Sequence, residues 1–417
     1  MVAMAVVGVG GLWWMLRTLR PTSAHPTDAR TASPPVPQTW AERAPGRTRV
    51  LLTDDMAGRE VPPGFDRRAF LRAAGTVAAV GAVGGAGARL GAGPAASGAR
   101  DTLTLPSPAE AAPPVPTGVT FEVPGLTPYL SSNADFYRVD TALTVPDVPL
   151  EGYLLRIHGL VDTPLELSFA DLLERRLVER RITLTCVSNP VGGDLVDNAT
   201  WLGIPMRDLL EEAGVQAGAD AVKSTSADDF TAGTPLSALT DDRGALLAIG
   251  MNGEPLPLEH GFPVRMVTPG LYGYVSATKW LVDLEVTRFA DFTPYWTDRG
   301  YAEQAPIKLS SRIDVPGPFA QLGAGRAVVA GVAWAQPRGI ERVEVRVGDG
   351  EWQDAELAEE DSTHTWRPWR WEWEAAPGTH RLEVRATDRT GDTQTSQRAP
   401  VAPDGSTGWH NVTVTVT

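Results

Sequence analysis

Arg181-Ile-Thr-Leu-Thr-Cys186-Val-Ser-Asn189-Pro-Val-Gly-Gly193 contains the single cysteine of a 417-residue chain. Ile182 to Thr185 alternate apolar and polar residues, the period of a strand. Pro190, Gly192 and Gly193 then end any regular element. The pattern predicts a strand that hands Cys186 to a loop, where a rigid scaffold presents functional side chains. These residues alone leave a second reading open, because free cysteine often serves as a small buried hydrophobe. One cysteine permits no internal disulfide and no Cys-Cys metal site.

Outward from this stretch the elements are mixed. Residues 154–159 read as a strand running into a turn. Ser168 is placed to cap a short helix, with Asp171 in its first turn. A second helix starts at Pro205 and stops at Gly214, with Met206, Leu209, Leu210 and Ala213 as its apolar stripe. Residues 222–226 and 246–251 read as strands, the latter turning at Asn252-Gly253. Two more strands are expected over 260–267 and 278–286. Strands and helices do not alternate strictly, so 121–312 reads as an α+β domain. From residue 313 the pattern changes. Segments 327–334, 340–347, 352–357, 366–374, 380–387 and 409–417 alternate or are β-branched, with turn signals such as Gly348-Asp-Gly350 and Pro377-Gly378 between them. This predicts an all-β immunoglobulin-like sandwich over 313–417, without the paired cysteines of antibody domains.

The N-terminal hundred residues read differently. Met1 to Leu16 are apolar and uncharged, with Arg17 and Arg20 following. That is marginal for a membrane helix, which needs about 20 residues, and the arginines place its C-terminal end in the cytoplasm. Residues 21–64 have the composition of a disordered linker. Asp66-Arg67-Arg68-Ala-Phe70-Leu71-Arg72 then precedes an uncharged Gly/Ala/Val run, the form of a twin-arginine export signal. Ser97-Gly98-Ala99 offers a cleavage site; retention as a second membrane helix is the alternative. Residues 1–100 are therefore expected to anchor the chain, 101–120 to link, and the rest to lie outside the cytoplasmic membrane.

The net charge of −14 excludes a basic nucleic-acid footprint. Only three lysines are present, Lys223, Lys279 and Lys308, so each position carries information. His260, Arg265 and Lys279, with Gly270, Gly273 and Ser276 among them, form a candidate anion site; solvated strand-end charges are the alternative. Arg138 in Asn133–Thr141 serves either a bound anion or an ion pair with Asp135 or Asp140. Cys186 with His260 also permits a nucleophilic pair, and hence a cysteine hydrolase.

Taken together, these residues resemble the sulfite oxidase family of molybdopterin oxidoreductases. The resemblance rests on Thr185-Cys186-Val-Ser-Asn189, on Trp201-Leu-Gly203 through Leu209, Leu210, Ala213 and Gly214, and on the run Met251 to Arg265. It also rests on Pro269 to Leu281 and on Asn133, Phe136, Tyr137 and Arg138. It covers roughly 120–417. It implies that Cys186 ligates molybdenum and that His260, Arg265 and Lys279 hold the phosphate and ring of the molybdopterin, with Ser276 and Thr278 nearby. It implies that Asn133, Phe136, Tyr137 and Arg138 wrap the pterin, that Asp228 hydrogen-bonds it, and that Tyr301 stands in the catalytic pocket. It implies a homodimer through 313–417. Where sulfite-oxidising members carry an arginine soon after the cysteine, this chain has Pro190, Val191, Gly192 and Gly193, so a less basic pocket is expected. No haem motif is present, so electrons are expected to pass to a separate partner, a quinone-linked membrane protein or a cytochrome. The reading is an anchored oxidoreductase transferring an oxo group on a sulfite-like substrate or an S- or N-oxide. An envelope binding protein with a vestigial cofactor fold is the alternative.

Overall fold

The computed structural model describes residues 95–417. The expected membrane segment, cytoplasmic linker and twin-arginine signal lie outside the described residues. Among those described, no helix is long and apolar enough to cross a membrane.

The first element among the described residues is a helix, α1 (Ala95–Thr102), which contains the expected cleavage site Ser97-Gly98-Ala99. Its Arg100 donates to the carbonyls of Leu256 (2.9 Å) and Pro255 (3.1 Å). The Pro/Ala/Ser segment that follows has little regular structure, yet it is hydrogen-bonded to the domain. Ala109 N–H donates to Leu177 O, and Glu179 N–H to Glu110 O. Its backbone thereby occupies part of an open strand edge.

The α+β domain is built on two sheets. Its strands are β1 (Leu154–Gly159), β2 (Leu165–Ser168), β3 (Val178–Thr185), β4 (Val196–Pro205), β5 (Ala221–Ser226), β6 (Thr231–Pro235), β7 (Leu246–Met251), β8 (Glu254–Pro255), β9 (Arg265–Val267) and β10 (Leu281–Thr287). One sheet has the order β2-β1-β10-β5-β6. The other has the order β3-β4-β7-β8, with β9 paired to β7. All six residues of β7 are buried, which explains a continuous apolar run in place of alternation. Helix α2 (Phe169–Leu173) carries a full capping box, Ser168 with Asp171. Helix α3 (Met206–Ala213) buries Met206, Leu209, Leu210 and Ala213 and stops at the left-handed Gly214. Trp201 to Pro205, read above as the approach to this helix, finish strand β4, where Trp201 pairs with Met251. Residues 260–264 differ from expectation too. His260 ends a 3-10 turn (Leu258–His260) and the strand begins only at Arg265. Two short helices complete the domain, α4 (Leu236–Thr240) and α5 (Gly273–Ser276).

The C-terminal domain is a two-sheet β-sandwich. Its strands are β11 (Ser310–Val315), β12 (Gln321–Leu322), β13 (Gly325–Trp334), β14 (Ile340–Val347), β15 (Gln353–Asp354), β16 (Glu356–Leu357), β17 (Arg367–Ala375), β18 (Gly378–Asp388) and β19 (His410–Val416). The sheets run β11-β13-β17-β16 and β12-β19-β18-β14-β15. Alternate residues Trp369, Trp371, Trp373 and Val343, Val345 meet between them as one core, the period-2 burial that the sequence carries.

Candidate active site

One solvent-open cavity gathers most of the candidate residues: Phe136, Tyr137, Cys186, Asp228, His260, Arg265, Lys279 and Tyr301 all line it. Their places follow from the fold. Strand β3 ends at Thr185 and releases Cys186 into a turn whose N–H is held by Leu195 O. The 3-10 turn ends on His260, β9 opens on Arg265, and Lys279 stands two residues ahead of β10.

The cationic part of the wall is tightly partnered. Arg265 is 5 % exposed. It donates to the carbonyls of His260 (3.0 Å), Ala277 (3.3 Å) and Met266 (3.3 Å), and its guanidinium lies 5.0 Å from the Trp201 ring. Lys279 Nζ donates to Asp140 (2.8 Å) and to Glu259 O (3.1 Å). His260 Nε2 is 3.0 Å from Asn133 O, and Phe136 packs edge-on against both His260 and Trp201. Burial pushes Arg265 down to about 10 and Lys279 down to about 8. Burial, then neighbouring Arg265, lowers His260 to about 4, so its ring is neutral. Burial also pushes Asp140 up, but hydrogen bonds from Arg138 and Lys279 outweigh it and leave the carboxylate below its usual range.

This arrangement fits an anionic, ring-bearing ligand. Arg265 has five N–H donors and Lys279 three; protein groups take three and two of them. Asp228 lines the cavity with a carboxylate oxygen that is buried and has no partner, an acceptor for a ligand N–H. Cationic groups pushed down by burial are stabilised by an incoming anion. A molybdopterin supplies the phosphate, the ring donors and a metal for the thiolate.

A hydrolytic nucleophile fits poorly. Burial raises the Cys186 pKa, with hydrogen bonds at Ser188 working against it, whereas a reactive thiol needs its pKa lowered. His260 has a ring nitrogen committed to Asn133 O.

Four expected residues do not line the cavity. Asn133 lies behind it, with its amide bonded to Asn252 and to Met251 O. The Arg138 side chain is 43 % exposed and pairs with Asp140 at 2.9 Å, which resolves its ion-pair partner; Asp135 takes Ser132 instead. Ser276 is bonded to the carbonyls of Leu271 and Tyr272, and Thr278 to Ser224. Both hydroxyls are used within the fold. Pro190–Gly193 was expected beside the metal, but it borders the C-terminal sandwich instead: Gly192 abuts His410, and Gly193 O accepts from Arg312. The wall beside Cys186 is set by other residues.

Sequence reasoning missed Asp140 as a cavity residue, and it missed the aromatic wall. Phe230, Tyr274 and Trp296 line the cavity with Tyr301. Trp296 and Tyr274 stand edge-on to Tyr301 at 5.3 and 5.6 Å. The only signal was the crowding of aromatics over 289–301, which reads equally well as core.

Residues 142–296 match the family model described as the oxidoreductase molybdopterin binding domain. The chain is 30% identical over 335 residues to the sulfite oxidase of Gallus gallus, covering 68% of this chain and 72% of that one. It is 28% identical over 342 residues to the mitochondrial sulfite oxidase of Mus musculus, covering 69% of this chain and 62% of the other, so it spans under two thirds of that relative's length. The sulfane dehydrogenase SoxCD from Paracoccus pantotrophus shares the fold, with a TM-score of 0.61 at 22% identity over 70% of this chain and 84% of that one. The cavity, its donors and these likenesses agree: the chain belongs to the sulfite oxidase family of molybdopterin-binding oxidoreductases.

Proposed function

We propose that this chain is a molybdopterin-dependent oxidoreductase that moves an oxo group on a small, uncharged S- or N-oxide or the corresponding reduced compound. In this reading the Cys186 thiolate ligates the metal. Arg265 and Lys279 hold the cofactor's phosphate, Asp228 accepts from its ring, and Phe136 with Tyr137 packs beside it. The bound group supplies two-electron redox chemistry; the protein supplies position, charge and exclusion of water. The observation that carries the reading is one cavity holding a lone cysteine, a buried arginine and a largely buried lysine with spare donors, and an unpartnered carboxylate oxygen.

The substrate class follows from the remaining wall. Phe230, Tyr274, Trp296, Tyr301 and Val187 present rings and a methyl-bearing side chain but no cation. A sulfite dianion would be desolvated there without compensation, while a neutral oxide loses little. Reducing such an oxide consumes two electrons and two protons, breaks the bond to oxygen, and releases water. A separate quinone-linked membrane protein or cytochrome supplies the electrons. The chain works outside the cytoplasmic membrane, held by its N-terminal segment, and dimerises through the C-terminal sandwich, read as immunoglobulin-like.

The test is elemental analysis of protein produced in a cofactor-competent host, beside Cys186→Ser. Stoichiometric molybdenum in the parent and a marked loss in the variant are expected. A parent chain free of both molybdenum and pterin overturns the reading.

A further inference from the structure

We propose that the C-terminal sandwich is a positioning device for Cys186, and that the metal-binding cysteine is therefore seated by two domains. The inference rests on the reading of Cys186 as a metal ligand. Strand β3 is the outer strand of its sheet. An outer strand presents unpaired backbone groups that something must cover. The sandwich covers them immediately before the cysteine. Thr183 N–H donates to His364 O at 3.0 Å. Thr183 O accepts from Gln336 Nε2 at 3.2 Å, and its hydroxyl oxygen accepts from Trp366 N–H at 2.9 Å. Thr183 is fully buried. Two residues earlier, the Arg181 guanidinium meets the Asp361 carboxylate with both side chains under a tenth exposed, and Tyr129 OH donates to the same carboxylate at 2.7 Å.

The sandwich holds the far side of the cysteine as well. Asn189 O accepts from Ser406 Oγ at 2.7 Å, and Gly193 O accepts from Arg312 Nη1 at 2.9 Å. Gly192 has φ +79°, and a Cβ there would lie 2.1 Å from His410 Cδ2, so the loop backbone rests on that ring. His410 is itself fixed, its Nδ1 accepting from Ile313 N–H at 3.0 Å. Between these anchors the chain from Cys186 to Asn189 is a turn closed within its own domain by Asn189 N–H to Cys186 O, Cys186 N–H to Leu195 O and Leu195 N–H to Asn189 Oδ1. The position of the sulfur thus depends on contacts from the second domain at 181–183 and at 189–193. This also accounts for Pro190–Gly193: glycine at 192 is what lets the loop approach His410.

The test compares Thr183→Val, Thr183→Ser and Ser406→Ala with an exposed sandwich control, Arg326→Ala. Thr183→Val keeps the shape but leaves Trp366 N–H without an acceptor; Thr183→Ser restores it. Each full-length protein is assayed for molybdenum content, for the EPR spectrum of the partly reduced Mo(V) state, and for kcat and KM with a reduced viologen dye and a neutral sulfoxide. Cofactor-free protein is assayed for the rate of Cys186 alkylation by a maleimide. Thr183→Val is expected to retain molybdenum, to shift the EPR g-values, and to lower kcat on the order of tenfold at unchanged KM, as small displacements of a reacting group do. It is also expected to speed alkylation several-fold. Ser406→Ala should move each readout the same way by less, while Thr183→Ser and Arg326→Ala match the parent. Loaded Thr183→Val with the parent spectrum, kcat and alkylation rate overturns the proposal. A parent without molybdenum instead overturns the underlying assignment of the site, and the alkylation rates then show separately whether the sandwich seats the cysteine.

Discussion

Two patches of the cavity wall are built on opposite principles. One comprises Arg265, Lys279 and His260, whose side chains bond to carbonyls and to Asp140. The other comprises Tyr274, Trp296 and Tyr301, which meet edge-on, and Phe230, which packs tilted against Tyr295. The first buries charge at a cost that shows in the lowered pKa values of Arg265 and Lys279. The second buries rings at no such cost. A cavity with both is suited to a ligand that is anionic in one part and to a second molecule that is not. That division separates cofactor retention from substrate choice, and variants in the two patches should fail in different ways.

The largest effect is expected at Arg265. Arg265→Ala removes a buried guanidinium and leaves the carbonyls of His260, Ala277 and Met266 without donors. Stability should fall by at least about 3 kcal/mol, read from the denaturant midpoint, and molybdenum should be lost from purified protein. Retained molybdenum would separate the arginine from cofactor binding and break the comparison at its cationic side.

Next comes a pH dependence. The Lys279 pKa is about 8 in the folded chain against an ordinary 10.5. Between those values the unfolded chain holds more protons than the folded one, so stability rises as pH climbs through that window. The gap corresponds to roughly 3 kcal/mol at most. A bound phosphate would pull Lys279 back up and flatten the slope. Cofactor-free protein should therefore gain stability between pH 8 and pH 10, loaded protein should gain less, and Lys279→Met should remove the difference. A slope that is identical in the variant would rule the lysine out as its source.

Legibility in the sequence followed the range of the interactions. The sandwich strands were visible because alternate burial is a local pattern, as in Trp369, Trp371 and Trp373. The stop at Gly214 was visible because a left-handed residue after an apolar stripe is local too. Cys186, His260, Arg265 and Lys279 stood out as candidates by residue type among small residues, and the resemblance to the sulfite oxidase family gave them their cofactor roles. Side-chain direction was not legible. Ser276 and Thr278 flank the cavity in sequence, yet each hydroxyl bonds inward to the fold. Asp140 became a cavity residue only because β10 brings Lys279 to it from far along the chain. Pro190–Gly193 looked like a pocket edge because it follows the cysteine, but its partners His410 and Arg312 belong to the other domain. No pattern within one segment reports contacts of that reach.

The smallest and most informative change is in the aromatic patch. Trp296 is half-buried and packs edge-on against Tyr295 and Tyr301. Trp296→Ala should leave molybdenum content and stability near the parent while raising KM for a neutral sulfoxide roughly tenfold, the equivalent of about 1.4 kcal/mol of lost ring contact. Trp296→Arg goes further, because it places a cation in a wall that has none. If charge alone bars sulfite, this variant should oxidise it with an artificial acceptor where the parent does not. If the parent already oxidises sulfite as readily, the aromatic patch does not select for charge, and the division between the two patches reduces to shape.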